Sequence, residues 1–86
     1  MMKIIPLNDV LFVFDSWTLI VDQSLCSEMA VGDEFILLDD SKMEVGRARL
    51  KSVLPSRNFD LRAIVINVIK GPSDLKSVRF LSVHSL

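Results

Sequence analysis

Five basic residues in the second half of the chain are the clearest candidates for binding chemistry in this sequence. Arg47, Arg49 and Lys51 alternate with smaller or apolar residues, and alternate side chains of a β-strand point to the same face. A strand here therefore carries three cations on one face, and Arg57 and Arg62 are placed to extend this basic stripe across the next hairpin. Neutralising phosphates with Lys and Arg releases counterions and drives affinity, so the pattern is typical of a surface that binds a polyanion such as RNA.

The charges are unevenly distributed along the chain, although the net charge is only −1. Residues 1–41 contain eight acids and one base, and residues 42–86 contain nine bases and three acids. This asymmetry is compatible with two oppositely charged faces. The alternative is that acidic and basic strands lie side by side and compensate each other across the sheet. In that case the basic stripe is a solvated surface, and the sequence leaves both interpretations open.

Signatures of catalysis and of metal binding are missing from the sequence. It contains no glycine-rich phosphate loop, no Gly-x-Ser-x-Gly elbow, no Cys-x-x-Cys pair and no His-x-x-x-His spacing. The single histidine, His84, lies near the end of the chain, and the single cysteine, Cys26, has no disulfide partner. Asp39, Asp40 and Glu44 do not follow a calcium-loop pattern and are expected to form a solvated turn. We therefore predict no catalytic residue, no metal site, no cofactor and no small-molecule substrate.

Short apolar runs separated by Gly, Pro and polar residues recur along the whole chain, which predicts β-strands. The predicted strands cover residues 3–7, 10–14, 18–22, 34–39, 45–54, 61–70 and 77–84. Turns are expected at Asp15-Ser16, at 39–42, at 55–58 and at 71–74, where Asp, Ser, Pro and Gly favour chain reversal. Residues 23–30 are the one segment that fits a helix, and it would have one or two turns.

These elements predict an all-β fold: a small antiparallel barrel or half-barrel of six or seven strands with at most one short helical turn. A chain of 86 residues has room for a single domain. An open sheet of this size would leave an apolar face and two bare edges, so we expect it to curl or close. No apolar run approaches the length of a membrane span, and the first residues do not fit a signal peptide. We expect a cytoplasmic protein without a membrane partner.

Two of the predicted strands, 10–14 and 61–70, are apolar on both faces. A strand of this kind is either central in a large sheet or part of an interface. Because the chain is short and 50% of its residues are hydrophobic, an interface is the expected explanation for at least one of the two strands. The residues predicted to form a protein interface are Leu11, Val13, Phe14, Ile64, Ile66 and Val68.

The segment 31–50 resembles part of the PUA-type RNA-binding domains. It has Gly-Asp at 32–33, an apolar strand, an acidic turn at 39–40 and Val-Gly-Arg-Ala at 45–48, in the order that is similar to that family. The same segment, with the strand that follows it, is also similar to translation-factor-type barrels and to barrel modules of bacterial envelope and flagellar assembly proteins. These resemblances imply a small β-barrel, and the first of them implies RNA binding.

The opening residues 2–11 resemble the first strand of the small co-chaperonins. That family continues with a long loop, whereas a tight turn is predicted here at Asp15-Ser16. The resemblance therefore implies a β-strand and does not extend to ring assembly.

The predicted function is that of a non-enzymatic binding module that self-associates or docks onto a partner protein through its apolar strand faces. The alternative is a PUA-like RNA-binding domain that uses the basic stripe.

Overall fold

The computed structural model describes residues 2–26, 29–55 and 60–84. In these residues seven strands form one antiparallel sheet that curls into a half-barrel, which confirms the predicted all-β fold. Among the described residues no helix is long and apolar enough to cross a membrane. The elements are β1 (Met2–Pro6), β2 (Asp9–Val13), β3 (Ser16–Asp22), α1 (Gln23–Cys26), β4 (Glu34–Leu38), β5 (Glu44–Pro55), β6 (Leu61–Lys70) and β7 (Phe80–His84).

Each predicted strand coincides with an observed one, but several boundaries differ. The first hairpin turns at Phe14-Asp15, one residue earlier than predicted, so Phe14 lies in the turn and not in β2. The last strand is shorter than predicted, because residues 77–79 belong to the connection before β7. The helical turn α1 occupies the start of the predicted segment 23–30, while residues 27–28 lie outside the described residues. The predicted turn at 55–58 also falls mainly outside them.

The strand order brings the beginning of the chain to both edges of the sheet. The order is β1-β7-β4-β5-β6-β3-β2, so two strands that are consecutive in sequence lie at opposite edges. Only Leu7 and Asn8 connect them, and consecutive Cα atoms are about 3.8 Å apart. The backbone N–H of Leu7 bonds to Arg79 O at 2.9 Å, on the β7 side, and the N–H of Asn8 bonds to Ile20 O at 2.7 Å, on the β3 side. The two edges therefore meet at this connection, which is why the sheet must curl.

The concave side of the sheet carries the hydrophobic core. Alternate residues of each strand point to it, as the period of two requires. Two further core residues come from the connection between β6 and β7. The core consists of Ile5, Leu19, Val21, Phe35, Leu37, Ala48, Leu50, Ile64, Ile66, Leu75, Val78 and Leu81.

A glycine allows β5 and β6 to approach closely where their pairing is irregular. A Cβ atom on Gly46 would collide with the backbone carbonyl of Lys70 and would also lie 3.1 Å from Gly71 Cα. The register between β5 and β6 shifts between Arg47 and Ala48, and such a bulge increases the local twist of the pair. The Val-Gly-Arg-Ala segment therefore has a packing reason for its glycine.

Candidate functional site

The β2–β3 hairpin carries an unusual turn. Phe14 and Asp15 both have positive φ, at 50° and 60°, and together they form the two-residue turn between Val13 and Ser16. Positive φ at both central positions is the type I′ geometry, which favours Asn, Asp and Gly. Asp15 suits this conformation. A phenylalanine does not, because a bulky L-residue is strained there.

The Phe14 side chain contributes nothing visible to the fold. It is 98% exposed, so it buries almost no surface in exchange for its strained backbone. A polar turn residue at this position would cost less in backbone strain and would not expose an aromatic ring to water. Neither burial nor backbone preference therefore explains a phenylalanine at position 14.

The strand that leads into this turn is apolar on both faces. Leu11 and Val13 lie on the convex face and are each 40% exposed. Phe12 lies on the other face, opposite Trp17 in the register, and is 56% exposed. The two rings pack with centroids 4.9 Å apart at a tilt of 59°. We call Leu11, Phe12, Val13 and Phe14 the β2 apolar patch.

The backbone of β2 adds hydrogen-bonding groups to this patch. β2 is an edge of the sheet, and it pairs only with β3 in the part of the chain that the structure describes. In a two-residue hairpin the closing pair, here Val13 and Ser16, is hydrogen-bonded, and such pairs alternate along an antiparallel ladder. The N–H and C=O groups of Val10 and Phe12 therefore point away from β3. The N–H of Val10 is bonded to its neighbour, the Asp9 carboxylate, at 2.8 Å.

The prediction that Ile64 and Ile66 belong to a protein interface is wrong. Ile64 is 0% exposed and Ile66 is 3% exposed, and both belong to the core. The reason is the position of β6, which is central: it pairs with β3 on one side and β5 on the other. Its two apolar faces come from this central position, and these two side chains are not accessible to a partner.

Val68, the third interface residue predicted on β6, lies elsewhere. It is 36% exposed. Trp17 and Ile66 are the last pair of β3 and β6, so Val68, two residues further along, lies at the level of the Phe14-Asp15 turn. Val68 pairs with the buried Ala48 and therefore projects to the core-facing side. It lies at the same end of the sheet as the turn, but on the opposite face from Leu11 and Val13.

The basic stripe is exposed, and part of it is paired with acids. Arg47, Arg49 and Lys51 are all exposed on β5. Arg49 lies directly opposite Glu34 in the register, with 3.7 Å between Arg49 Nη2 and Glu34 Oε2. Arg47 Nε lies 3.9 Å from Glu44 Oε2. The Arg49–Glu34 contact joins β4 to β5 and favours the interpretation in which acidic and basic residues compensate across the sheet, whereas the Arg47–Glu44 contact lies within β5.

Arg62 does not extend the stripe as predicted. It pairs with Val21, which is fully buried, and directly paired residues project to the same side of a sheet. Arg62 therefore lies on the core-facing side, half-buried, and its Nη1 donates to Leu61 O at 2.8 Å. Arg62 shares this face of β6 with Ile64 and Ile66, and the sequence pattern does not show which of the two apolar faces of β6 is the core side. Arg57, the other predicted extension, lies outside the described residues.

A recess lies at the connection between β1 and β2. It has a volume of about 300 Å³, and apolar and basic side chains both line it. In the described residues no group of three or more His, Cys, Asp or Glu side chains is placed to hold a metal ion. The residues that line the recess are Leu7, Asn8, Asp9, Val10, Lys76, Val78 and Arg79.

The sequence-based reasoning missed Phe12 and the open backbone of β2. The predicted interface included Leu11, Val13 and Phe14 but not Phe12. Its exposure follows from the edge position of β2, which depends on the strand order and not on local sequence. The sequence signal for an exposed β2 was that this strand is apolar on both faces, but β6 has the same property.

Comparisons with protein-family models, with curated proteins and with solved structures found no match to this chain. The structure supports a small all-β half-barrel. The resemblance of segment 31–50 to PUA-type domains and to other small barrels stays a prediction.

Proposed function

We propose that this chain is a non-enzymatic protein-binding module and that its contact surface is the β2 apolar patch. The observation that carries the proposal is an edge strand with apolar side chains on both faces that ends in a strained, 98% exposed phenylalanine. An exposed, hydrophobic edge strand is a template for pairing with another chain. Strand addition at such an edge is a common mode of protein recognition, in which backbone hydrogen bonds provide affinity and side chains provide specificity.

The size of the patch fits a modest interface. A phenylalanine buries about 150–250 Å², so Phe12, at 56% exposure, and Phe14, at 98%, together offer roughly 300 Å². A standard interface buries about 800 Å² per partner. The two phenylalanines therefore supply roughly a third of one partner's share of such an interface, and aromatic residues are among those that contribute most of the binding energy. Leu11, Val13 and the edge backbone supply part of the remainder.

Site-specific photo-cross-linking tests this proposal. A photoreactive amino acid placed at position 14 should form adducts with polypeptide in cells of the native host. Met43 is the matched control, because it is also apolar, lies near another turn and is 65% exposed. We expect adducts from position 14 and none from position 43. Equal adducts from both positions, or adducts from position 43 alone, would contradict the proposal.

RNA binding by the basic stripe is the alternative function. The exposure of Arg47, Arg49 and Lys51 on one strand supports it. The contacts of Arg47 and Arg49 with Glu44 and Glu34 weigh against it, because a carboxylate beside each guanidinium competes with phosphate. We therefore favour protein binding.

A further inference from the structure

We infer that the partner of the β2 apolar patch is a second copy of this chain, bound by antiparallel pairing of β2 with β2 around a two-fold axis. This inference rests on the proposed function and names its partner. A two-fold interface uses the same surface on both subunits, so that surface must be complementary to itself. The charges, the backbone groups and the recess beside β2 each meet this condition.

The charges of β2 and its turn select one register. If Leu11 of one copy lies opposite Leu11 of the other, all five residues of β2 pair, and Asp9 lies opposite Val13. If the strands are centred on Phe12 instead, Asp9 lies opposite Asp15, and like charges directly opposite each other are destabilising. That second register also places Val10 opposite Phe14, whose φ of 50° does not fit a strand. The Leu11-centred register is therefore favoured.

The backbone groups agree with the same register. Val10 and Phe12 direct their N–H and C=O groups to the open side of β2, and in this register Val10 of one copy lies opposite Phe12 of the other. Such a pair exchanges both N–H···O bonds, and the two-fold axis repeats the pair. The N–H of Val10 leaves the Asp9 carboxylate for the partner carbonyl. Leu11 then faces its own copy in a non-hydrogen-bonded pair, where side chains are closest.

The recess beside β2 gives Phe14 a place in this dimer. In the Leu11-centred register Phe14 lies at the level of Asn8 of the other copy, and Asn8 lines the recess of about 300 Å³. Leu7, which is half-buried, offers apolar contact there, and Lys76 supplies a cation for the face of an aromatic ring. Phe14 and the recess belong to the same chain, so each copy of a dimer can place its Phe14 in the recess of the other, and no third copy is needed. A net charge of −1 leaves little repulsion between them.

Disulfide trapping tests both the partner and the register. Leu11→Cys, in a Cys26→Ser background that removes the natural thiol, places two thiols opposite each other at a Cα spacing of about 4.5 Å, within the range of about 4.4–6.8 Å that a disulfide spans. We expect rapid formation of a covalent dimer with oxidised glutathione. Met43→Cys, which is exposed on another part of the chain, is the control and should stay monomeric. Trapping at position 43 as fast as at position 11 would overturn the inference.

A mixed experiment tests the register alone. Asp9→Cys and Val13→Cys should each trap slowly with themselves and rapidly with each other, because residue 9 of one copy lies opposite residue 13 of the other. Rapid trapping of Val13→Cys with itself would reject the Leu11-centred register.

The oligomeric state separates this inference from the proposed function. We expect light scattering of the wild-type protein to show a dimer at micromolar concentration that dissociates on dilution. Leu11→Lys places two ammonium groups face to face. Since opposed like charges cost several kcal/mol, the dissociation constant of the dimer should rise about 100-fold. A wild-type monomer whose position 14 cross-links to a different protein in the host would overturn the inference and leave the proposed function standing. A monomer without such adducts would overturn both.

Discussion

The two edge strands of the sheet, β1 and β2, have the same length but differ in the residues that hinder further strand pairing. β1 carries Lys3 and ends at Pro6, and a lysine and a proline are common means of protecting an edge from further pairing. β2 carries neither, and its single charge, Asp9, stands at its first residue. Both strands border the same sheet, so the fold does not require the difference. One edge thus carries residues that hinder further strand pairing, and the other edge does not.

The connection between the edges makes the contrast sharper. Leu7 and Asn8 bring the end of β1 beside the start of β2, yet the two strands do not pair with each other. The structure therefore has the geometry of a barrel whose last seam is open in the described residues. An incoming strand can add to β2 without displacing any part of the sheet described here.

The largest effect is expected when the protection of β1 is transferred to β2. Replacing Leu11 by lysine places a charge where β2 meets the partner, and self-association should weaken by about 100-fold, since residue 11 faces its own copy and an opposed like-charge pair costs several kcal/mol. Analytical ultracentrifugation measures this. Ile4→Lys is the matched control, since Ile4 is 46% exposed on the other edge, and it should leave association unchanged. If Ile4→Lys disrupts association as strongly, the contact surface includes β1.

A second substitution separates the backbone from the side chain at the open edge. Phe12→Pro removes both the ring and an N–H that points to the open side of β2, whereas Phe12→Ala removes only the ring. Since a hydrogen bond contributes about 0.5–1.5 kcal/mol, the proline variant should bind about tenfold more weakly than the alanine variant. Isothermal dilution calorimetry compares the two. Equal dissociation constants would mean that the interface uses side chains without strand pairing.

The turn at Phe14 should show a trade-off between stability and binding. Phe14→Asn puts a residue that tolerates positive φ in the type I′ turn, so the free energy of unfolding should rise by about 0.5–1 kcal/mol. Association should weaken about tenfold, because a buried aromatic is lost. Urea unfolding and sedimentation measure the two quantities.

Lys42→Asn is the control for that trade-off. Lys42 also has positive φ, at 62°, but it lies in the turn between β4 and β5, away from β2. Its ammonium group lies 5.4 Å from the centre of the Phe80 ring, and loss of this contact offsets part of the strain relief. Association should not change. A loss of binding in this variant would show that the assay responds to turn substitutions in general.

The smallest effect on association is expected from the basic stripe. Replacing Arg47, Arg49 and Lys51 by glutamate should leave the dimer unchanged, because these side chains lie on β5 and not on β2. The same variant tests the RNA alternative. If the wild-type protein shifts a structured RNA at low salt, the affinity should fall steeply with salt and be lost in the variant. No shift at low salt by the wild-type protein would remove that alternative.

The fold could be predicted because its signals are local. Period-two alternation and the turn residues Asp, Ser, Gly and Pro report on backbone geometry within a few residues, and all seven strands follow from them. The first turn was misplaced by one residue because Phe14 is a poor match for positive φ. The position that we propose for binding thus broke the local rule on which the prediction depended.

The interface could be predicted only in part, because β2 and β6 look alike in sequence. Both are apolar on two faces, yet Ile64 and Ile66 are core residues whereas Leu11 and Val13 are exposed. The difference comes from the strand order, in which β6 is central and β2 is an edge. The position of Arg62 was missed for a similar reason, since it shares a face of β6 with Ile64 and Ile66, and the strand order makes that face the core side.

The amino-acid sequence by itself determined the strands, their turns and the amount of apolar surface, because these depend on residue type and spacing along the chain. Tertiary structure decided which apolar strand lies inside the sheet and which lies at its edge, which cations have a carboxylate beside them, and that Phe14 is exposed. Those outcomes depend on strand order and register, which pair residues that are distant in sequence.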